Sequence, residues 1–172
     1  PFTLARHQLE IARTRAQHPG PDRVPVEFVA GTSPLRRLAR SAFDQRRRCI
    51  ATTVTECILA DGQPEAAAKA GGEESAKFYA STLATIGHLN ANSGLRHYVI
   101  RNSLLEAIVF ALVPTAGLDF DEFCNDVLGH QLGYIVGEQS PGADTLLARI
   151  DNGLLRANQR ALQDRLEETG LL

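Results

Sequence analysis

The segment SPLRRLARSAFDQRRRCI, residues 33–50, decides much of the expected fold because it combines a helix start with a helical apolar repeat. Ser33-Pro34 is typical of a helix start, since Ser accepts a hydrogen bond at the N-cap and Pro suits the first helical position. Leu35 and Leu38 recur at helical spacing and begin an apolar face. The segment therefore predicts an amphipathic helix, which we expect to continue to Ala60.

The same segment carries a row of arginines, called here the arginine stripe. At 100° per residue, its five members fall within about a third of the helix circumference. Guanidinium groups in such a row suit phosphate, because each can donate two parallel hydrogen bonds. The stripe is therefore a candidate nucleic-acid-binding surface, with a solvated face or an intramolecular match to acidic residues as the alternatives. Its members are Arg36, Arg37, Arg40, Arg47 and Arg48.

Charge is distributed unevenly along the chain, although the net charge is only −2. Residues 1–50 carry ten arginines, whereas residues 102–148 carry no Lys or Arg and seven acids. Such an asymmetry concerns partners and association rather than fold. The basic part is expected to serve an anionic ligand, to face the acidic part inside the fold, or to meet it in a head-to-tail assembly. The seven acids are Glu106, Asp119, Asp121, Glu122, Asp126, Glu138 and Asp144.

Helical periodicity recurs along most of the remaining chain. An alanine-rich helix is expected to end in a tight turn at Gly71-Gly72, where glycine would supply a positive φ. Ser103 and Glu106 predict a capping box for a later helix, and Asp119 is expected to begin another that ends at about Gly129. The other expected helices span about 3–18, 73–89, 140–152 and 154–169, and the expected short strands span 24–29 and 134–136.

These elements predict an all-α, multi-helix domain with one or two short strands. A length of 172 residues fits one domain. We expect an N-terminal helix and loop over 1–32 and a helical domain over 33–172, with a distinct end over 140–172. The sequence contains no Met and stops just after Gly170, which favours a piece of a longer protein.

The end of the chain resembles the winged-helix pattern. In that family the reading helix closes with Leu-x-x-x-Gly and an apolar pair that starts the wing strand, as Leu166, Gly170, Leu171 and Leu172 do here. The resemblance implies that one side of the helix enters a DNA groove and contacts phosphates or base edges. An ordinary packing helix is the alternative, since Leu155, Leu162 and Leu166 form an apolar stripe at helical spacing. The groove-facing residues so implied are Arg156, Gln159, Arg160 and Gln163.

Three further patterns are weaker. RHYVIRN, residues 96–102, places an aromatic among cations and suits stacking on a base, whereas a partly buried Tyr98 with surface charges around it is the alternative. The acids of LDFDEFCND, residues 118–126, are interpreted as helix-capping residues because carboxylates are favoured in a first helical turn. The overall sequence pattern of residues 92–170 resembles that of helical tails in prokaryotic genome-defence proteins.

Signatures of enzymes, metal sites and cofactor sites are missing from the sequence. GxSxG, HExxH, the P-loop and GxGxxG do not occur, and the histidines and cysteines lack metal-ligand spacing. Cys49, Cys57 and Cys124 are expected to be reduced thiols, buried or half-buried. Reduced cysteines, together with the lack of a signal peptide and of a membrane segment in the sequence, predict a cytoplasmic protein.

We therefore expect a non-catalytic helical module without a cofactor or metal, and without a membrane partner. It would bind DNA or another nucleic acid, or dock a protein partner, within a larger intracellular assembly such as one for genome defence. The alternative is a structural or oligomerisation domain that pairs basic surfaces with acidic ones.

Overall fold

The computed structural model describes residues 23–29, 34–90, 95–144 and 149–171. Helices dominate these residues, and the strands are two residues long. The expected all-α class with short strands is therefore confirmed. The elements are β1 (Val24–Pro25), α1 (Pro34–Ala60), α2 (Glu65–Thr85), α3 (Asn102–Leu112), α4 (Phe120–Glu122), a π-helix (Phe123–Gln131), β2 (Tyr134–Ile135) and α5 (Asn152–Glu168).

The described residues divide into two compact units. Residues 44–83, called the helical unit, contain the larger part of α1 and most of α2. The mixed unit contains both strands, the start of α1 and all elements after α2. Its described segments are 23–29, 34–43, 84–90, 95–144 and 149–171.

In the helical unit, α1 and α2 approach each other through small residues. Gly72 in α2 lies against the backbone of Ala51 and the side chain of Thr55 in α1. The Thr55 hydroxyl oxygen is 2.8 Å from the Ala51 carbonyl oxygen and 3.3 Å from the carbonyl oxygen of Ala68 in α2. Small residues allow such a close approach of two backbones. The buried residues of α2 are Ala68, Gly72, Ala76 and Ala80.

The expected turn at Gly71-Gly72 is wrong. The helix runs without interruption from Glu65 to Thr85, and neither glycine has a positive φ. The helix expected over 73–89 is therefore part of α2 and ends earlier than expected. Glycine disfavours a helix interior by roughly 1 kcal/mol. The contact with α1 requires a residue without a side chain at position 72, and this packing accounts for a glycine inside the helix.

Extended segments from four parts of the chain are hydrogen-bonded in the mixed unit. β1 pairs in parallel with β2. The Glu27 amide, just after β1, donates to the Tyr98 carbonyl at 3.5 Å. An antiparallel bridge then joins Tyr98 to Leu89. The strands expected within 24–29 and 134–136 are confirmed, and they form a parallel pair although the segments are more than 100 positions apart.

The last helix buries the apolar stripe that its sequence predicts. Leu155, Leu162 and Leu166 are at most 2% exposed. Leu155 joins a core cluster that includes Leu35 of α1 and Ile135 of β2. The helix expected over 154–169 is thus confirmed, and it begins two residues earlier.

The capping box predicted before α3 is not formed. The helix begins at Asn102, and its N-cap residue, Arg101, makes no side-chain capping hydrogen bond. The Arg101 amide donates to the Gly87 carbonyl at 2.9 Å. Because this bond ends the extended segment at Arg101, the helix starts ahead of Ser103. Ser103 and Glu106 therefore lie inside α3.

The helix expected over 140–152 does not start at Ser140. Residues 141–143 form a turn, and residues 149–150 are also non-helical. The Ser140 hydroxyl accepts hydrogen bonds from the amides of Val136 and Gly137, at 3.1 and 3.0 Å. Because it closes a turn with these preceding residues, Ser140 caps no helix. Residues 145–148 and the helix expected over 3–18 lie outside the described residues.

The helix start predicted at Asp119 is confirmed. The Asp119 carboxylate accepts a hydrogen bond from the Asp121 amide at 2.8 Å, and α4 begins at Phe120. The helix then continues in π-helical geometry to Gln131, two residues beyond the expected end.

Candidate functional site

The arginine stripe is solvent-exposed along α1 except for Arg36, which is half-buried. Arg36, Arg37 and Arg40 belong to the mixed unit, and Arg47 and Arg48 to the helical unit. Within the described ranges, no hydrogen-bond or ion-pair partner is found for Arg37, Arg47 or Arg48, whereas Arg40 interacts with other groups. The guanidinium groups of Arg47 and Arg48 thus face solvent and are accessible to an anion.

A depression of about 600 Å³ lies on the helical unit. Phe78 lines it and is 74% exposed; Tyr79 and Ile50 line it too. Ile50 follows Arg47 by three positions, so the two side chains are neighbours on the surface of α1. Glu74 is the charged residue among those described as lining the depression, and it is bound to Lys77 at 2.7 Å. An exposed aromatic ring and an exposed cation therefore occur in one neighbourhood.

A buried carboxylate explains why Arg36 departs from the stripe. The Glu27 side chain is 2% exposed, and its Oε2 accepts a hydrogen bond from Arg36 Nε at 2.7 Å. His97 Nε2 lies 3.3 Å from the same oxygen, and His97 Nδ1 lies 3.0 Å from the Leu95 carbonyl oxygen. A buried charge requires such partners. Arg36 therefore neutralises a carboxylate of its own fold.

Asn158 of α5 fixes the segment that carries Glu27. Its side chain is fully buried. Oδ1 accepts from the amides of Phe28 and Val29 at 2.7 and 3.3 Å, and Nδ2 donates to the carbonyls of Val26 and Val136, both at 2.9 Å. A carboxamide has two donors and two acceptor positions, and all four are used. Asn158 thus joins α5 to two extended segments.

A pocket of about 570 Å³ lies beside Glu27 in the mixed unit. Two arginines besides Arg36 line it, one at the start of α3 and one near the end of α5. Val29 and Leu95 are among its apolar lining residues. The polar lining residues are Glu27, Arg36, Asn90, His97, Arg101 and Arg165.

Arg165 is held in place by two contacts. One terminal nitrogen donates to the Ile100 carbonyl at 3.0 Å, and the guanidinium carbon lies 5.3 Å from the centroid of the Phe28 ring. A cation over an aromatic face is attracted to it. The guanidinium group has five N–H donors, so several remain for a ligand.

Arg101 presents a second guanidinium group to the pocket. Its side chain passes close to Gly87, where a Cβ atom would lie 3.2 Å from the Arg101 Cβ. For neither Arg101 nor Arg165 do the described ranges contain a carboxylate partner. Two cations of the pocket are therefore uncompensated.

Acidic residues surround the polar side of α5 that the winged-helix resemblance assigns to DNA. Arg156 Nε lies 3.4 Å from Glu138 Oε2, and Gln159 donates to Asp121 Oδ1 at 3.0 Å. Arg160 is exposed in the same neighbourhood. Phosphate on this side would come close to carboxylates that repel it.

The next turn of α5 also places a carboxylate beside a predicted DNA-contacting residue. Gln163 is half-buried and donates to Glu167 Oε1 at 3.2 Å. The two glutamines are thus engaged by carboxylates. Of the two predicted surfaces, the one on α1 is electrostatically better suited to phosphate.

Burial shifts the pKa values of two titratable groups in the mixed unit. Burial lowers the pKa of His88, although its hydrogen bond to the Val99 carbonyl acts in the opposite direction. Burial raises the pKa of the Cys124 thiol to about 12, and the charges of Asp121 and Asp119 add to the effect. Because a nucleophilic cysteine reacts as the thiolate, this shift disfavours the reactive form of Cys124.

Among the described residues, none of the three cysteines forms a disulfide; Cys57 and Cys124 are buried and Cys49 is half-buried, as expected. Tyr98 is 2% exposed, so the stacking on a base considered for residues 96–102 is wrong for this ring. It lies instead against other rings in the core, 5.8 Å from Phe43 and 5.0 Å from His88 between centroids.

Sequence reasoning missed the residues of the pocket as a group. The signal available for Glu27 was its place as a single acid within the apolar run 24–29. The sequence shows Arg101 only as one of the cations near Tyr98, and it gives no local signal for Arg165 or Asn158. Their grouping depends on contacts between distant segments, which one sequence does not display.

The comparisons with known proteins leave the chain without an assigned family. No protein-family model matches it, and neither curated proteins nor solved structures yield a match. None of the described helices is long and apolar enough to cross a membrane. In the described ranges, no three His, Cys, Asp or Glu side chains are grouped so as to hold a metal ion.

Proposed function

We propose that the chain is a non-catalytic helical module that binds single-stranded nucleic acid through its helical unit. Arg47 and Arg48 bind backbone phosphate, and Phe78 stacks on a base. The observation that carries the proposal is the exposure of both arginines without a partner in the described ranges, in the unit that also exposes an aromatic ring.

Physical chemistry favours this combination. Arginine forms paired hydrogen bonds with phosphate. Single-stranded nucleic acid is bound by cations that follow the backbone and by aromatic rings that stack on bases. Phe78 is 74% exposed, so a base can reach its face without a rearrangement of the fold.

The charge-reversal variant Arg47→Glu with Arg48→Glu tests the phosphate contacts. Fluorescence anisotropy with labelled single-stranded and duplex DNA, at about 50 and about 200 mM salt, measures the binding. We expect the unmodified chain to bind the single strand with an affinity that falls steeply with salt, and the variant to lose binding. Absence of binding at the lower salt concentration would refute the proposal.

A matched control is available within the same unit. Lys69→Glu with Lys77→Glu changes the net charge by the same amount, but these lysines are already bound to Glu65 and Glu74 at 2.6 and 2.7 Å. We expect this control to retain most of the binding. An equal loss in both variants would indicate a nonspecific charge effect.

Phe78→Ala separates single strands from duplexes. A base stacked on an aromatic ring contributes about 1–3 kcal/mol, so single-strand binding should weaken on the order of tenfold or more. Duplex binding should change little, since paired bases are already stacked.

A structural or oligomerisation role is the second candidate. Asp119, Asp121, Glu122 and Asp126 are exposed in the mixed unit, so carboxylates are accessible to the arginines of a second copy. Sedimentation of the chain without nucleic acid tests this role. A stable dimer at low salt that dissociates in the Arg47→Glu, Arg48→Glu variant would support it.

A further inference from the structure

The pocket beside Glu27 belongs to the mixed unit, and the proposed nucleic-acid site does not use it. We propose that this pocket binds the phosphate group of a small phosphomonoester, with Arg101 and Arg165 as the residues that contact it. The inference is independent of the proposed function, because the residues of the two sites lie in different units.

The charges of the pocket match those of a phosphomonoester. Arg36 and Glu27 form a 2.7 Å ion pair and offset each other. Arg101 and Arg165 leave two positive charges within the described lining. A phosphomonoester carries about −1.5 to −2 charges near pH 7. A dianionic group therefore neutralises the pocket, whereas a monocarboxylate would leave one cation uncompensated.

Arg165 is also held in position before a ligand arrives. Arg165 is fixed by the Ile100 carbonyl at 3.0 Å and by the Phe28 ring at 5.3 Å. The segment that carries Phe28 is fixed in turn by the hydrogen bonds of Asn158 with Val26 and Phe28. A guanidinium group that is already ordered loses less conformational entropy when it binds an anion. Its remaining donors suit the geometry of phosphate oxygens.

The size and lining of the pocket favour a ligand larger than a free phosphate ion. A volume of about 570 Å³ lies within the roughly 300–1,000 Å³ typical of small-molecule sites. Val29, Leu95 and Val99 contribute apolar surface beside the arginines. The phosphate group would thus contact the arginines while an organic part contacts the apolar side chains. An ester and free phosphate share the chemistry that the arginines recognise, so the test compares the two.

Isothermal titration calorimetry of the full chain with phenyl phosphate, inorganic phosphate and phenol tests the inference. We expect phenyl phosphate to bind most tightly, inorganic phosphate more weakly, and phenol not measurably. Equal binding of the two phosphates would retain the site and identify free phosphate as a sufficient ligand. No heat from either phosphate at about 10 mM, where even a millimolar site fills, would overturn the inference.

Arg101→Glu is the decisive variant, and Arg160→Glu is its matched control. Both residues are exposed, and both variants change the charge equally. Because a hydrogen bond to a charged group contributes roughly tenfold or more to affinity, we expect Arg101→Glu to weaken phenyl phosphate binding at least about tenfold. Arg160→Glu should leave it within about twofold, since Arg160 lines a different pocket and exposed charges are screened by salt. Equal weakening by the two variants would overturn the inference.

A measurement on the unmodified chain locates the ligand without relying on a variant. His97 lines the pocket, and its side chain is 7% exposed. We expect its imidazole NMR resonances to shift and saturate with phenyl phosphate in step with the calorimetric binding curve. Saturable binding that leaves the His97 resonances unmoved would place the ligand elsewhere and overturn the inference.

Discussion

The two units of this chain are stabilised by different interactions. In the helical unit, two helices meet through glycine and alanine, and Gly72 leaves no room for a side chain between them. In the mixed unit, the extended segments are joined to α5 by the four hydrogen bonds of Asn158. One unit thus depends on the absence of side-chain atoms, and the other on a particular polar side chain.

This difference shows that the structural role of a small or polar residue depends on the residues packed against it. A pair of glycines suggests a turn, yet packing against a second helix makes it a helix interior. A buried asparagine is costly in isolation, yet four partners make it a structural link. Substitutions at the two places should therefore fail for different reasons, which mutagenesis can test.

The largest effect is expected from Asn158→Ala. It leaves the backbone groups of Val26, Phe28, Val29 and Val136 without their side-chain partner. Because a buried unsatisfied group costs about 1–3 kcal/mol, we expect the free energy of unfolding to fall by about 3–5 kcal/mol. Urea denaturation followed by circular dichroism measures this change.

The neighbouring Gln159→Ala serves as the control for that substitution. Gln159 makes an exposed hydrogen bond to Asp121, and its loss should change the free energy of unfolding by no more than about 0.5 kcal/mol. Similar effects of the two substitutions would contradict the linking role of Asn158.

Gly72→Ala tests the close contact in the helical unit and has Gly71→Ala as its control. A Cβ at position 72 would lie 2.5 Å from the Ala51 carbonyl oxygen, whereas at position 71 it would meet the flexible end of Ile58. We expect Gly72→Ala to destabilise the chain by about 1–3 kcal/mol, as overpacking does. Gly71→Ala should be neutral or stabilise by up to about 1 kcal/mol, because Ala favours a helix.

Thermal unfolding of both variants gives the comparison. If Gly72→Ala proved as stable as Gly71→Ala, the helices would have room to separate. The steric contact would then matter less to the helical unit than the Asn158 hydrogen bonds matter to the mixed unit.

The smallest expected effect is a pH dependence from His88 in the mixed unit. Burial lowers its pKa below the ordinary 6.5, so the folded chain takes up the proton less readily than the unfolded chain. The stability is fully present above pH 6.5 and declines as the pH falls, because the unfolded state binds the proton first. Urea denaturation between about pH 7.5 and 5.5 should show a falling free energy of unfolding.

His88→Gln removes the titrating group and should flatten this decline, even if it lowers the stability at every pH. An unchanged slope would assign the pH dependence to another residue.

Periodicity was sufficient to predict α1 and α5. The start of α1 follows from Ser33-Pro34, and α5 follows from its leucine spacing. The continuous α2 was not predicted, because the sequence does not show which backbone Gly72 contacts.

The candidate sites were predicted only where they are local. The arginines of α1 lie within one helix, so their grouping is visible in the sequence. The pocket combines Glu27, Arg101 and Arg165, which come from three distant segments. Arg36 was assigned to the stripe because nothing local distinguishes it from Arg37, whereas the structure pairs it with Glu27.

The link between Phe28 and Asn158 also has a consequence in time. These residues are 130 positions apart, and residues of the helical unit are synthesised between them. At about 5–20 residues per second, a ribosome needs on the order of ten seconds to proceed from one to the other. The α1–α2 contact joins nearby segments and can form early, whereas Val26 and Phe28 must wait for α5. We therefore expect the mixed unit to complete its folding late, after α5 has been synthesised.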